Sequence, residues 1–116
     1  MKKAAILILA LALVFAMIGP ASAGTVLVKA GVNGNHFGPA KKTVARGTKV
    51  AWKNVSGVTH TVTAYSKNWS KKKSLAPGTR TSFTFSAPGT YKYRCTIHST
   101  LTNGVCSGMC GVIKVG

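Results

Sequence analysis

Not one aspartate or glutamate occurs in this chain of 116 residues, while lysine and arginine number 16. No side-chain carboxylate can pair with those cations, so internal ion pairs cannot fix the fold. It has to rest on apolar packing and backbone hydrogen bonds. The same absence removes whole function classes. Paired-carboxylate acid–base catalysis, Ser-His-Asp triads, zinc sites with a glutamate base, and carboxylate cages for calcium or magnesium all lack their key residue. No enzyme activity is expected from what remains.

The first residues indicate a destination. Met1-Lys2-Lys3 is a short basic start, Ala4 to Ile18 is unbroken apolar sequence, Gly19-Pro20 breaks a helix, and Ala21-Ser22-Ala23 is a small-residue cleavage signal. Residues 1–23 therefore read as a secretory signal peptide cut after Ala23. The apolar run is about 15 residues, short of the roughly 20 that cross a bilayer. The expected product is one domain, residues 24–116, in the periplasm or outside the cell. Removing Lys2 and Lys3 from the 16 basic residues leaves that domain a formal charge of +14. Such a field should draw an acidic partner protein, or an anionic membrane or cell-wall surface. Nucleic acid is not expected in that compartment, and the domain is expected to be a monomer.

After residue 23 no segment carries a helical period of useful length. Short β-branched or alternating runs recur instead, at Thr25–Lys29, Thr43–Ala45, Lys49–Lys53, His60–Tyr65, Thr79–Phe85, Thr90–Cys95 and Gly111–Val115. Arg46-Gly47-Thr48 reads as a hairpin turn, and Ser66 to Gly78 as an irregular basic stretch. The expectation is an all-β chain, an antiparallel β-sandwich or barrel, with Trp52 and Tyr93 in its core.

The chemistry concentrates near the C-terminus. Cys95 and His98 stand at a C-x2-H spacing where a strand meets a loop, Met109 lies just before the closing strand, and His60 opens a strand far upstream. One thiolate, two imidazoles and a thioether are the donor set of a blue-copper electron-transfer site, trigonal His2Cys with a weak axial Met. Thiolate and thioether suit Cu(I) while imidazole suits both oxidation states, so a compromise geometry keeps reorganisation small.

At these residues the chain resembles the cupredoxins, and among them the plastocyanin-like proteins. The similarity runs through Phe37-Gly38-Pro39, the stretch Thr43 to Asn54, Val58 to Val62 around His60, Phe83 to His98, and Met109 to Val115. It implies an eight-strand Greek-key sandwich binding one copper ion through His60, Cys95, His98 and Met109. It also implies single-electron exchange with redox partners through the more exposed ring, His98. Thr61 takes the place after the first histidine where many relatives carry asparagine. His98 and Met109 are separated by ten residues, longer than in plastocyanins, and this enlarged loop region holds the extra cysteines Cys106 and Cys110. Those two are a candidate disulfide, natural in an exported protein if the chain folds back enough to bring their Cα atoms within about 7 Å. Free thiols holding a second soft metal are the alternative. Cys106-Ser107-Gly108-Met109-Cys110-Gly111 also looks like part of a two-copper loop, but Lys114 stands where that site needs a histidine.

Three function classes follow. The first is an electron shuttle and the second a periplasmic copper store or delivery protein. In the third, Cys95, His98, Cys106 and Cys110 form a Cys3His zinc tetrahedron. The third leaves His60 and Met109 without a role. His36 lies outside the ligand pattern and is expected to be exposed.

Overall fold

The structure, a computed structural model, describes residues 24–116, so the signal peptide expected over residues 1–23 lies outside the described residues. Nine strands follow one another: β1 (Thr25–Ala30), β2 (Phe37–Gly38), β3 (Lys41–Val44), β4 (Thr48–Asn54), β5 (His60–Ala64), β6 (Lys72–Leu75), β7 (Arg80–Phe85), β8 (Gly89–Thr102) and β9 (Val105–Val115). They assemble as a four-stranded sheet, β2-β1-β4-β7, and a five-stranded one, β3-β9-β8-β5-β6. The all-β sandwich expected from the sequence is the fold of this chain.

Alternation decides which side chains meet between the sheets. Along β8, Tyr91, Tyr93 and Cys95 are buried while Lys92 is exposed. Trp52 of β4 packs edge-on to Tyr93 at a ring-centroid distance of 5.2 Å and to Phe85 at 6.4 Å, with Trp69 stacked on it at 6.2 Å. Such ring clusters supply the large apolar area that a chain without ion pairs needs. Two buried polar atoms, Trp52 Nε1 and Tyr93 Oη, find no hydrogen-bond partner. Burial pushes the Tyr93 phenol up to about 12, although the nearby Trp52 indole N–H pulls slightly the other way without reaching hydrogen-bonding geometry.

Four details differ from the sequence reading. Pairing is not wholly antiparallel, since β1 runs parallel to β4 and β3 parallel to β9. The Arg46-Gly47-Thr48 turn closes no hairpin. It carries the chain from β3 in one sheet to β4 in the other, because a turn is chosen locally while strand partners are chosen by distant packing. The basic stretch after Ser66 contains β6, which pairs with β5 from His60↔Leu75 to Thr63↔Lys72. Only Leu75 of β6 is buried, and the lysines are those of an edge strand that discourages further pairing. Finally, the long insertion after His98 is a β-hairpin rather than a loop. Ser99–Thr102 pair with Val105–Gly108 around Asn103-Gly104, whose φ values of 51° and 77° are the left-handed pair a two-residue hairpin turn requires.

Tyr93 and Gly111 stand opposite each other in the β8–β9 register, and the tyrosine ring lies directly over the glycine. A methyl group at Gly111 would overlap Cζ and Oη of Tyr93, a fully buried side chain in a dense core. Gly111→Ala is therefore expected to cost the metal-free protein about 1–3 kcal/mol through overpacking. In urea denaturation this would read as a lower midpoint with an unchanged slope. An unchanged midpoint would mean that the ring can move aside.

Candidate metal centre

The centre occupies a break in a ladder. β8 and β9 pair regularly from Gly89↔Val115 to Arg94↔Cys110 and again from Ser99↔Gly108 to Thr102↔Val105, with a register shift between Arg94 and Ser99. Across that shift Cys95–His98, four residues, stand opposite Met109 alone. The excess backbone bulges, and a bulge re-aims side chains that a regular strand would alternate. The bulge is tied at its ends, because Ser99 Oγ donates to the Cys95 carbonyl and Arg94 Nη1 donates to Ser99 Oγ at 3.0 Å. Cys95 is wholly buried, His98 half-buried and Met109 wholly buried in the same apolar cluster as Cys95.

His60 arrives from the other side, at the start of β5, and is wholly buried. Its Nε2 lies 2.9 Å from Ser56 Oγ, which donates in turn to Asn54 Oδ1 at 2.7 Å. Asn54, buried at the end of β4, spends its amide on the carbonyls of Val58 (2.7 Å) and Leu75 (2.9 Å). This chain of bonds fixes the 55–59 loop and leaves Nδ1 of His60 as the nitrogen facing the centre. Burial, reinforced by the neighbouring His98 ring, holds His60 below the usual imidazole range. Both effects favour the neutral ring, the form that acts as a ligand.

Three donor atoms converge. His60 Nδ1 and His98 Nδ1 are 3.2 Å apart, and Cys95 Sγ lies 3.5 Å from the second and 3.7 Å from the first. First-row metal ions bind imidazole nitrogen at about 2.0–2.1 Å and thiolate sulfur at about 2.3 Å, so donors sharing one ion at trigonal to tetrahedral angles stand roughly 3.4–3.8 Å apart. The two sulfur edges fall in that range and the nitrogen–nitrogen edge is slightly shorter, as a narrower N–metal–N angle would give; the donor chemistry, with Met109 opposite the bulge, is that of one type 1 copper. Cys95 Sγ also accepts from the backbone N–H of Thr61 at 3.3 Å. The Thr61 hydroxyl in turn accepts from Thr96 N at 2.9 Å, so threonine here ties β5 to the ligand bulge.

Cys106 and Cys110 are joined by a disulfide with a Cα–Cα distance of 6.2 Å, and Cys95 is the free cysteine among the described residues. That corrects two alternatives. A Cys3His zinc tetrahedron and a two-copper loop both need these sulfurs as thiolates. His36 is exposed, its Nδ1 3.1 Å from the Asn33 carbonyl. Sequence reasoning missed Ser56, Asn54 and the Arg94–Ser99 tie. The available signal for the first two was a hydroxyl four residues before the first histidine, with an asparagine two residues before that.

Residues 5–106 match the family model of the cupredoxin-like domain, a span that includes His60, Cys95 and His98 and stops before Met109. Among solved structures, a purple cupredoxin from Nitrosopumilus maritimus superposes with a TM-score of 0.60 at 19% identity, over 80% of this chain and 99% of that one. A reduced amicyanin variant gives 0.65 at 23% identity, over 79% and 82% of the two chains. A copper-containing nitrite reductase from Thermus scotoductus gives 0.63 at 26% identity over 79% of this chain, but only 22% of that longer protein.

If Ser56 orients His60, Ser56→Ala should leave the fold intact and weaken metal binding about 10–100-fold, the usual cost of removing a ligand's hydrogen-bond partner. Competitive copper titration against a chelator measures it. Wild-type affinity in the variant would mean that packing alone orients the ring.

Proposed function

The chain belongs to the cupredoxin-like domain family, and on that premise we propose that it is an exported mononuclear copper protein that shuttles single electrons between redox partners. The observation that carries this reading is the convergence of His60 Nδ1, His98 Nδ1 and Cys95 Sγ into a triangle of 3.2 to 3.7 Å edges, tied to a sheet on both sides. When bound, copper supplies the one-electron couple between Cu(I) and Cu(II). Cys95 offers a soft anionic donor in a buried place, and the imidazoles serve either oxidation state. The bonds from Thr61, Ser56 and Ser99 hold these donors still, so little rearrangement need accompany a change of charge. His98 is the histidine of the pair that reaches the surface, which makes it the exit for the electron.

The surface around that exit supports a division of labour in docking. Residues 30–40, 54–66 and 95–113 contain no lysine or arginine. Among the described residues, five of the six exposed large apolar side chains, Val55, Val58, Ile97, Leu101 and Val105, belong to these segments. All fourteen cations of residues 24–116 lie elsewhere in the sequence. In this reading the metal end meets its partner through apolar contact, while the basic remainder steers encounter with an acidic protein. Export rests on the leader-like residues 1–23. The nitrite reductase likeness spans 22% of that enzyme and lends this chain no reaction.

Adding Cu(II) to the purified domain is expected to give an intense thiolate-to-copper band toward the red end of the visible spectrum. The band should be absent in Cys95→Ala and bleached by a reductant, and voltammetry should give a reversible one-electron couple. A colourless copper complex would overturn the proposal. A coloured complex without a reversible couple would point instead to copper storage or delivery.

A further inference from the structure

We propose that the Cys106–Cys110 disulfide is a positioning clamp for Met109, holding β9 in a sharp bend so that the thioether stays against the Cys95–His98 bulge whether or not metal is bound. The inference rests on the mononuclear copper reading and goes beyond it.

The backbone gives the first reason. Four residues of extended strand span about 13 Å, yet the Cα atoms of Cys106 and Cys110 are 6.2 Å apart. Strand β9 is therefore sharply bent at Ser107-Gly108-Met109, while keeping its direction along β8 on either side, and the covalent bond closes that bend. The bend is seated as well as closed. Gly108, at φ 102°, sits so near the bulge that a Cβ there would be 2.5 Å from the His98 carbonyl oxygen. Met109 is the next residue and the sole occupant of β9 facing the four-residue bulge.

The second reason lies in the chemistry of the donor. A methionine side chain has three rotatable bonds, and an axial thioether is a weak ligand. Such a bond cannot by itself keep a bent, partly exposed strand in place, because straightening would release both conformational entropy and the bend. Enclosing the methionine within a four-residue covalent span removes that freedom from the backbone on either side. The hairpin beyond makes this more necessary, since Ser99–Thr102 and Val105–Gly108 form an exposed arm whose motion would otherwise be transmitted to Met109. Both half-cystines are partly exposed while Met109 is wholly buried. A dithiol can thus reach the clamp without touching the thioether. The exchange is balanced: the protein S–S bond gains two electrons and two protons to become two thiols, and the reagent closes its own disulfide.

Two measurements test this. In the copper-free wild-type protein, the Met109 and Cys110 amides should exchange slowly with deuterium, and a dithiol should speed exchange there about tenfold or more while β1 and β4 stay protected. Rapid exchange with the disulfide intact, or no change on its reduction, would overturn the clamp. These readouts hold even if copper does not bind as proposed. The second measurement uses copper. A Cys106→Ala/Cys110→Ala variant should keep its Cys95 charge-transfer band, but with the same altered band ratio and potential as Met109→Leu. Removing the disulfide from a Met109→Leu background should then add nothing further. A normal wild-type spectrum left unchanged in the disulfide-free variant would refute the clamp alone, whereas no band in the wild type would refute the copper reading.

Discussion

The register shift between Arg94 and Ser99 is the constraint on which the rest depends. For four residues β8 stops matching β9, and in those four the chain places both a buried thiolate donor and a half-buried imidazole. The regular ladder on each side holds the ends of the bulge at fixed positions. The irregularity is therefore rigid, and the Ser99–Cys95 and Arg94–Ser99 bonds tighten it. The remaining histidine needs no such device. It opens a strand, and the Asn54–Ser56 chain supports its outer nitrogen from the end of the facing sheet. Each sheet thus contributes to the site, and the Asn54–Ser56–His60 chain bridges them, while the Thr61–Cys95 bond ties β5 to β8 within one sheet.

How legible this was in the sequence follows from the range of each interaction. The ligand residues could be read because their types are rare and their order is informative; a thiol, an imidazole and a thioether near the end of a small chain have few joint explanations. The main strands could be read because Val62, Phe85 and Tyr93 alternate with polar neighbours, which reports burial directly. The hairpin after His98 was obscured because Leu101 and Val105 point to solvent, so its residues carry no core-facing alternation. Its one clear signal was local, Asn103-Gly104. β6 was hidden for the same reason, with Leu75 as its single buried side chain. The crossing at Arg46-Gly47 could not be read locally at all, because which sheet receives β4 is decided by β1 and β7.

The missing carboxylates acquire a sharper meaning once the fold is known. Excess positive charge opposes the compact state by self-repulsion. Here both edges of the five-stranded sheet carry exposed lysines, Lys41 and Lys42 on β3 and Lys72 and Lys73 on β6, where solvent and salt screen them. One partly buried cation, Lys71, donates to the Ser82 carbonyl at 2.8 Å, and burial followed by the neighbouring Lys73 holds it below the usual lysine range. Backbone carbonyls thus serve where a carboxylate might have been used.

The same distribution bears on the metal centre. A His2Cys site is formally neutral with Cu(I) and carries one positive charge with Cu(II), so every nearby uncompensated cation favours the reduced form, by an amount that grows as the local dielectric falls. A chain of net charge +16 and no acidic side chain cannot offset such a bias with an opposite charge. It can only keep cations out of the segments that carry the ligands, and residues 54–66 and 95–113, with 30–40, contain none. Arg94 is the exception, being adjacent to Cys95 in the chain, and its guanidinium is engaged with the Ser99 hydroxyl and carbonyl. Because the remaining lysines and arginines lie mostly on the surface, salt should weaken their long-range field far more than it alters the field at the buried Cys95. On the shuttle function proposed above, the arrangement would separate the rate of encounter, which ionic strength controls, from the redox balance of the site, which it affects much less.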